Sequence, residues 1–189
     1  MSADPARQLQ SGVRKYARYT WRHALRRVWV TRGAALGEGV FVEPNVQLQR
    51  HPEKIRLGAH VMLKEGARLC PTNPGSSIEI GDWTTVGAHT FIYASAGIRI
   101  GNNCLIAPFC YFVDSDHGFA AGKLIREQGM TAEPIRLEDD VWLGTGVVVT
   151  RGVTIHRGAV VGARAVVMED IPANAVAVGN PARVVKYRE

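Results

Sequence analysis

A six-residue period is the feature of this sequence that most restricts its fold. From Leu137 onward every sixth residue is aliphatic: Leu137, Leu143, Val149, Ile155, Val161 and Val167. An α-helix repeats every 3.6 residues and an ordinary strand every two, so neither explains this spacing. Small or β-branched residues follow each aliphatic by four positions: Val141, Val147, Val153, Ala159, Ala165 and Ile171. This pattern is typical of a parallel β-helix, in which each hexad forms one short strand and one corner.

The period extends over most of the chain and predicts an all-β fold of about six coils. Earlier coils have interior aliphatic or aromatic residues at Leu36, Val42 and Leu48, at Leu57, Leu63 and Leu69, at Ile80, Val86 and Ile92, and at Ile100, Ile106 and Phe112. Because strand layers are spaced by roughly 4.8 Å, six coils give a prism about 29 Å long.

Interruptions of the period divide the chain into three predicted parts. We expect an N-terminal segment at 1–33, a β-helix domain at 34–170 and a C-terminal tail at 171–189. The domain is interrupted mainly by an extended loop at 113–134, and long loops on regular scaffolds usually carry function. The tail contains prolines that break the repeat, so it is predicted to cap the last coil, whose strand edges would otherwise be exposed.

The basic charge of the protein is concentrated at the N-terminus. The chain of 189 residues has a formal charge of +6, and residues 1–33 contain eight Arg or Lys and one Asp. Residues 13–30 contain no Pro or Gly and predict an amphipathic α-helix. Either this helix packs on the first coil or a neighbouring subunit, or it contacts an anionic membrane surface. Nothing else in the chain favours nucleic-acid binding.

The N-terminus has no apolar stretch of signal-peptide type, so we do not expect export, and no apolar run reaches the roughly 18 residues needed to span a membrane. We therefore expect a cytoplasmic protein, peripheral to the inner face of the membrane if the helix binds there. The cysteines are Cys70, Cys104 and Cys110. They lack metal-ligand spacing, and the last two fall in interior slots of the repeat, so we expect buried apolar side chains and no metal.

The sequence Asp114-Ser-Asp-His-Gly118 opens the long loop and is the best candidate for catalysis. A histidine beside carboxylates can act as a general base, with one carboxylate orienting the imidazole. This reading makes His117, Asp114 and Asp116 catalytic; the alternative is a loop histidine that only hydrogen-bonds its neighbours. His89, in an outward slot, is a weaker candidate for acceptor binding, and a structural or surface role is favoured for it.

Several motifs make the chain similar to the hexapeptide-repeat acyltransferases, in particular galactoside and maltose O-acetyltransferases and their polysaccharide-modifying relatives. The resemblance covers 36–186. Beside the hexads, its motifs are Ile100-Gly-Asn-Asn-Cys-Leu-Ile-Ala-Pro108, Asp116-His-Gly118, Val141-Trp-Leu-Gly-Thr-Gly146, Gly152-Val-Thr-Ile155 and Gly179-Asn-Pro-Ala-Arg-Val-Val185.

The resemblance implies a left-handed β-helix, a homotrimer with active sites between subunits, and acetyl-CoA as the acyl donor. His117 matches the family's catalytic base, and the backbone amide of Thr145 matches the group that stabilises the oxyanion, without a metal. The residues expected to bind the cofactor are Trp142, Gly144, Thr145, Gly162, Ala163, Arg164, Arg183 and Lys186.

One departure from the family concerns the end of the last hexad. Relatives often have Thr-Lys there, whereas this chain has Met168-Glu169, so an acid replaces a lysine that can meet the phosphates of CoA. We expect acetyl transfer to a hydroxyl of a sugar or polysaccharide precursor. The alternatives are N-acyl transfer to an amine or amino acid, and a non-catalytic scaffold subunit. A γ-carbonic anhydrase is disfavoured because Gly122 stands where a zinc-binding histidine is needed.

Overall fold

The computed structural model describes residues 32–189. The predicted N-terminal helix and the proposed membrane contact of residues 13–30 lie outside this range. Within it, no helix combines the length and the apolar character that crossing a membrane requires.

Three parallel sheets form the sides of a triangular prism, and the chain visits them in turn. We call them sheets A, B and C. The strands of sheet A are β1 (Ala35–Leu36), β4 (Ile55–Leu57), β7 (Ile78–Ile80), β10 (Ile98–Ile100), β15 (Ile135–Leu137) and β18 (Thr154–Ile155). Those of sheet B are β2 (Phe41–Val42), β5 (Met62–Leu63), β8 (Thr85–Val86), β11 (Leu105–Ile106), β16 (Trp142–Leu143) and β19 (Val160–Val161), followed by β21 (Ala175–Val178) and β22 (Arg183–Tyr187). Those of sheet C are β3 (Gln47–Leu48), β6 (Arg68–Pro71), β9 (Phe91–Ala94), β12 (Tyr111–Val113), β17 (Val148–Val149) and β20 (Val166–Val167).

Six coils stack in the order that the hexads predict, which confirms the all-β, left-handed parallel β-helix. All of the predicted interior residues of the second to sixth coils are buried, and Phe112 is the largest side chain that is fully buried. Each buried Leu or Ile contributes roughly 1.5–3 kcal/mol to folding before entropy is counted. The period is therefore explained by one shared core along the prism axis.

The outward residues of the three sheets differ in chemistry. Sheet A carries Ala35, Arg56, Glu79, Arg99, Arg136 and Thr154 in register. Sheet B carries Phe41, Met62, Thr85, Leu105, Trp142 and Val160. Sheet C carries Gln47, Arg68, Phe91, Tyr111, Val148 and Val166. One side of the prism is thus charged, and the other two are largely apolar or aromatic.

The corner between sheets A and B, which we call the AB corner, is closed by a ladder of side chains. The backbone N–H of Ala59 donates to Asp82 Oδ1 at 2.7 Å, and that of Asp82 donates to Asn102 Oδ1 at 2.8 Å. The N–H of Asn102 in turn donates to Asp139 Oδ1 at 2.8 Å. Each coil therefore satisfies the exposed amide of the coil before it.

The C-terminal tail covers the end of the prism, as the sequence predicts. Strand β21 adds to sheet B beside β19, and β22 pairs antiparallel with β21. Over sheet C, the N–H of Val166 donates to the carbonyl of Gly179 at 3.0 Å. Ile171 forms a bridge with Ile155 on sheet A. The tail thereby occupies edge groups that would otherwise be open to pairing.

The long loop leaves the prism at the corner between sheets C and A, the CA corner, as a two-stranded arm. Strand β13 (Ser115–His117) pairs antiparallel with β14 (Met130–Ala132). A 3₁₀ helix at Ile125–Glu127 lies in the tip; a second one, Pro52–Lys54, lies in an earlier corner. The side chain of Gln128 bonds the backbone of Ala120 in both directions, which ties the tip together.

Candidate active site

His117 ends strand β13 and lies in the exposed part of the arm. Its neighbour across the ribbon is Met130, which is 53% exposed. Within residues 32–189 no hydrogen bond or ion pair engages the His117 imidazole. Both ring nitrogens are therefore available to a ligand, as a general base requires.

Asp114 is completely buried at the root of the arm. Its Oδ1 accepts a hydrogen bond from the N–H of Ser95 at 2.6 Å, and its Oδ2 accepts from those of Ala96 at 2.8 Å and Gly97 at 2.7 Å. The carboxylate thus binds the turn that precedes β10, and within the described chain it makes no hydrogen bond to His117. Its predicted catalytic role stays a prediction, and its contacts are those of a residue that positions the arm.

Asp116 is exposed and binds Arg151. The six-residue period gives Arg151 no feature that separates it from other outward-facing residues, so the sequence alone does not mark it as part of the site. Arg151 Nε donates to Asp116 Oδ2 at 2.7 Å, and its Nη1 donates to Glu133. The hydrogen bond to Asp116 and the charge of Glu133 raise the pKa of Arg151. Because Asp116 lies on β13 and Glu133 directly follows β14, the guanidinium holds the base of the arm against the fifth coil.

The corner between sheets B and C, the BC corner, presents unused backbone donors. Within the described chain, the N–H groups of Thr145 and Ala163 have no hydrogen-bond acceptor, whereas their counterparts at the AB corner are satisfied by the next coil. A Cβ at Gly144 would lie 2.6 Å from the Ala163 nitrogen. Glycine at 144 therefore lets the backbone of the sixth coil pack closely against this corner. A Cβ at Gly162 would meet Val178 at 2.7 Å.

A groove of about 750 Å³ runs over sheet B toward the C-terminus. Its floor contains Leu105 and Trp142, which are 56% and 53% exposed, and Lys186 stands at its side. The structure thus brings the predicted cofactor residues Trp142 and Lys186 together in one depression. An apolar floor with a cation at the edge suits a ligand with a chain and a phosphate end.

The other predicted basic residues are exposed. Arg183 Nη1 lies 3.7 Å from Glu169 Oε2, at the position where relatives often carry a lysine. Arg164 has a left-handed backbone with φ of 59° and follows Ala163 at the BC corner. The acid at 169 therefore partly neutralises one of the cations expected to meet CoA.

His89 also lies on the BC corner, in the third of the six coils. Its ring stacks on Phe109 with centroids 5.4 Å apart. A Cβ at Gly66 would lie 2.4 Å from His89 Nδ1, so the ring covers the preceding coil. These contacts agree with the structural reading of His89, and acceptor binding by this residue stays a prediction.

The predicted base and the predicted oxyanion donor do not meet within one chain. His117 extends from the CA corner, whereas Thr145 lies on the BC corner. These corners are the two ends of sheet C, and the four residue steps from Cys110 to Asp114 span about 13 Å. A site that uses both groups therefore needs a second copy of the chain.

The cysteines are free and buried. Burial raises the pKa of Cys104 and of Cys110 to about 11, so neither thiol is ionised near neutral pH. In the range 32–189, no cluster of three His, Cys, Asp or Glu side chains is arranged to hold a metal ion.

A family profile and two relatives match this sequence. The profile described as "Hexapeptide repeat of succinyl-transferase" matches residues 77–107 and 134–169. A probable acetyltransferase of Mycobacterium tuberculosis is 36% identical over 161 residues, which cover 85% of this chain and 52% of that protein. The chain thus spans about half of that relative. The putative colanic acid biosynthesis acetyltransferase WcaF of Escherichia coli is 32% identical over 170 residues, 90% of this chain and 76% of that protein.

Solved structures share the fold. AntD, an N-acyltransferase from Bacillus cereus solved with dTDP and 3-hydroxybutyryl-CoA, superposes with a TM-score of 0.77 at 21% identity, over 90% of this chain and 89% of AntD. A maltose O-acetyltransferase from Clostridium difficile 630 superposes with a TM-score of 0.62 at 28% identity, over 93% of this chain and 82% of that chain. By its hexads, its coils and its similarity to WcaF, the chain belongs to the hexapeptide-repeat acyltransferases.

Proposed function

We propose that the protein is an acetyl-CoA-dependent O-acetyltransferase that acts on a hydroxyl of a sugar or polysaccharide precursor. The observation that carries the proposal is the BC corner, where the N–H groups of Thr145 and Ala163 make no hydrogen bond within the described chain. An amide carbonyl of the pantetheine part of CoA can accept the Ala163 N–H, which leaves the Thr145 N–H for the oxyanion. The groove beside Trp142 and Lys186 then accommodates the rest of the cofactor.

In the proposed reaction, an imidazole nitrogen of His117 accepts the proton of the acceptor hydroxyl. The hydroxyl oxygen attacks the thioester carbonyl, and a tetrahedral intermediate forms with its oxyanion toward the Thr145 N–H. Collapse of the intermediate breaks the carbon–sulfur bond and releases CoA as the thiol, which takes the proton from His117. No covalent acyl-enzyme is needed, and no step uses a metal.

We also propose a closed homotrimer with an active site between each pair of subunits. Two observations support it. The separation of His117 from Thr145 by the width of sheet C means that the arm of one copy must reach the BC corner of another. Sheets B and C present apolar and aromatic outer faces, which a ring of copies would bury by head-to-tail contacts.

The names of relatives support the choice of acceptor. WcaF is named for the biosynthesis of a polysaccharide, and the clostridial neighbour at 28% identity is a maltose O-acetyltransferase. N-acyl transfer to an amine is the alternative, since an unprotonated amine can attack in the same site. The buried free cysteines fit the cytoplasmic location expected from the sequence.

The test is release of CoA thiol from acetyl-CoA with a panel of sugars, amines and amino acids. We expect turnover with sugars that lack amino groups. The His117→Ala variant should lower kcat by roughly 10²–10⁴ while CoA affinity changes little. His156→Ala, a control at the AB corner whose ring contacts Glu138 at 3.2 Å, should stay near wild type. Turnover with amines alone would replace O-transfer by N-transfer, and full activity of His117→Ala would remove the base assignment.

A further inference from the structure

Two arginines stand side by side on the charged outer face of sheet A. Arg99 in β10 and Arg136 in β15 are direct neighbours in the register of these parallel strands. Strand spacing places their backbones about 4.8 Å apart, and both side chains are exposed. Arg56 lies two rungs away on the same face, with Glu79 between it and Arg99.

Among residues 32–189, Glu79 is the one carboxylate in the outward row of these arginines, so the row keeps a net positive charge. Within the described residues, Arg56, Arg99 and Arg136 form no ion pair, and Glu79 forms none either. Like charges directly opposite one another destabilise a sheet. Other outer arginines, such as Arg151 and Arg157, are paired with carboxylates. The Arg99–Arg136 pair therefore offers two free guanidinium groups whose mutual repulsion an anion would relieve.

The Arg99–Arg136 pair adjoins the root of the arm. A depression of about 260 Å³ at the CA corner is lined by Arg99 and Arg136, by one carboxylate, Glu79, and by Gly97 and Pro134. The N–H of Gly97 donates to Asp114, the residue that fixes the arm. Strand β13 carries His117 three residues beyond Asp114, or roughly 10 Å in extended chain. A ligand several sugar units long can thus contact the arginines and approach the arm.

We propose that the Arg99–Arg136 pair binds the carboxylate groups of an acidic oligosaccharide, and that the acceptor is an acidic rather than a neutral glycan. This proposal rests on the proposed function for its link to acetyl transfer. A guanidinium binds a carboxylate through two parallel hydrogen bonds, and an open sheet face admits a chain of sugars. The basic N-terminal segment is a poor occupant because its charge has the same sign as this face.

A carboxylate is favoured over a phosphate by the backbone at this face. Phosphates are commonly held by several free N–H groups, as at a helix N-terminus or in a nest of amides. On sheet A the N–H groups are used by the strand ladder; that of Arg136 donates to the carbonyl of Val153 at 3.0 Å. Recognition at this face therefore depends on side chains alone.

Calorimetric titration of the full chain with tetragalacturonate, without acetyl-CoA, tests the proposal. The matched control ligand is the same tetrasaccharide with its carboxylates methyl-esterified. We expect the acid to bind at least tenfold more tightly than the ester, with the preference falling as salt is added. The double variant R99Q/R136Q should bind the acid at least tenfold more weakly. Arg68→Gln, which removes an exposed outer arginine of sheet C, should bind it within twofold of wild type.

The proposal is overturned if the double variant binds the acid as tightly as the wild type does, or if the wild type binds the ester as tightly as the acid. It is also overturned if a DNA oligomer of the same charge competes equally well for the site. If the double variant does not fold, the Arg136→Lys variant is used in its place. Lysine keeps the positive charge but loses the paired N–H groups of the guanidinium, so we expect binding of the acid to weaken at least threefold. Unchanged binding overturns the proposal. Because no acetyl-CoA is present, failed transfer chemistry does not affect this readout. Transfer to neutral sugars without binding of the acid would overturn this proposal alone.

Discussion

Glu169 places a negative charge at the proposed cofactor site, where the family resemblance leads us to expect a lysine. Its carboxylate lies 3.7 Å from Arg183, and both side chains are more than half exposed. Such a pair contributes little to stability. Its effect is therefore on the local potential, since a negative charge stands where a phosphate of CoA is expected.

Replacing Glu169 by Lys should tighten CoA binding. The substitution frees Arg183 and adds a second cation, and we expect a roughly three- to thirtyfold lower Kd at low salt that diminishes near 0.5 M salt. Titration of CoA into the protein measures this change. Glu38→Lys, the same change of charge in the first coil, is the control. Unchanged affinity in Glu169→Lys would place the phosphates elsewhere.

The buried thiols predict a dependence of stability on pH. Desolvation raises the pKa of Cys104 and Cys110 from 9.0 to about 11, because burial disfavours the thiolate. Unfolded cysteine ionises first as pH rises, so the contribution to stability is complete below pH 9 and is lost between about pH 9 and 11. Denaturant titrations at about pH 9 and pH 11 should show that the free energy of unfolding falls less in a Cys104→Ala/Cys110→Ala variant than in the wild type. An equal loss in both proteins would assign the effect to other groups.

At the scale of elements, the arm depends on two contacts that come from outside it. Asp114 accepts three backbone N–H groups of the turn at 95–97. Arg151, from the fifth coil, binds Asp116 on β13 and Glu133, which directly follows β14. The position of His117 therefore depends on the prism as well as on the ribbon.

Replacing Asp114 by Ala should loosen the arm and lower stability. Three buried donors lose a charged acceptor, which costs about 3 kcal/mol or more. We expect faster proteolysis within 115–132 and lower kcat, measured beside the free energy of unfolding. Asp170→Ala is the matched control, because Asp170 accepts one N–H, from Thr154, on the neighbouring coil. An unaltered arm in Asp114→Ala would contradict the positioning role of Asp114.

At the scale of the whole molecule, the prism has one charged and two apolar sides. Tyr111 on sheet C is 37% exposed, and burial raises its pKa. Leu105 and Trp142 on sheet B are more than half exposed. A closed ring would bury the apolar surface of sheets B and C outside the cofactor groove and leave sheet A open to ligands.

Sedimentation should give a particle of three times the 20.6 kDa chain. The Tyr111→Arg variant, which places a charge in the proposed interface, should shift the protein toward monomer and abolish turnover. Glu79→Arg, a charge change on sheet A, should leave the trimer intact. A wild-type monomer with full activity would contradict the proposed site between subunits.

The sequence by itself determined the coils, the buried cysteines and the capping tail. Each of these depends on spacing within a few hexads, and the inward direction of residues such as Leu143 is set locally. The tertiary structure decided which distant residues meet. Arg99 and Arg136 are 37 positions apart and become neighbours because the inserted arm at 113–134 leaves the stacking of coils unchanged. No period links Asp114 to the amides of 95–97 or Arg151 to the arm, because insertion lengths and the stacking of whole coils determine those contacts.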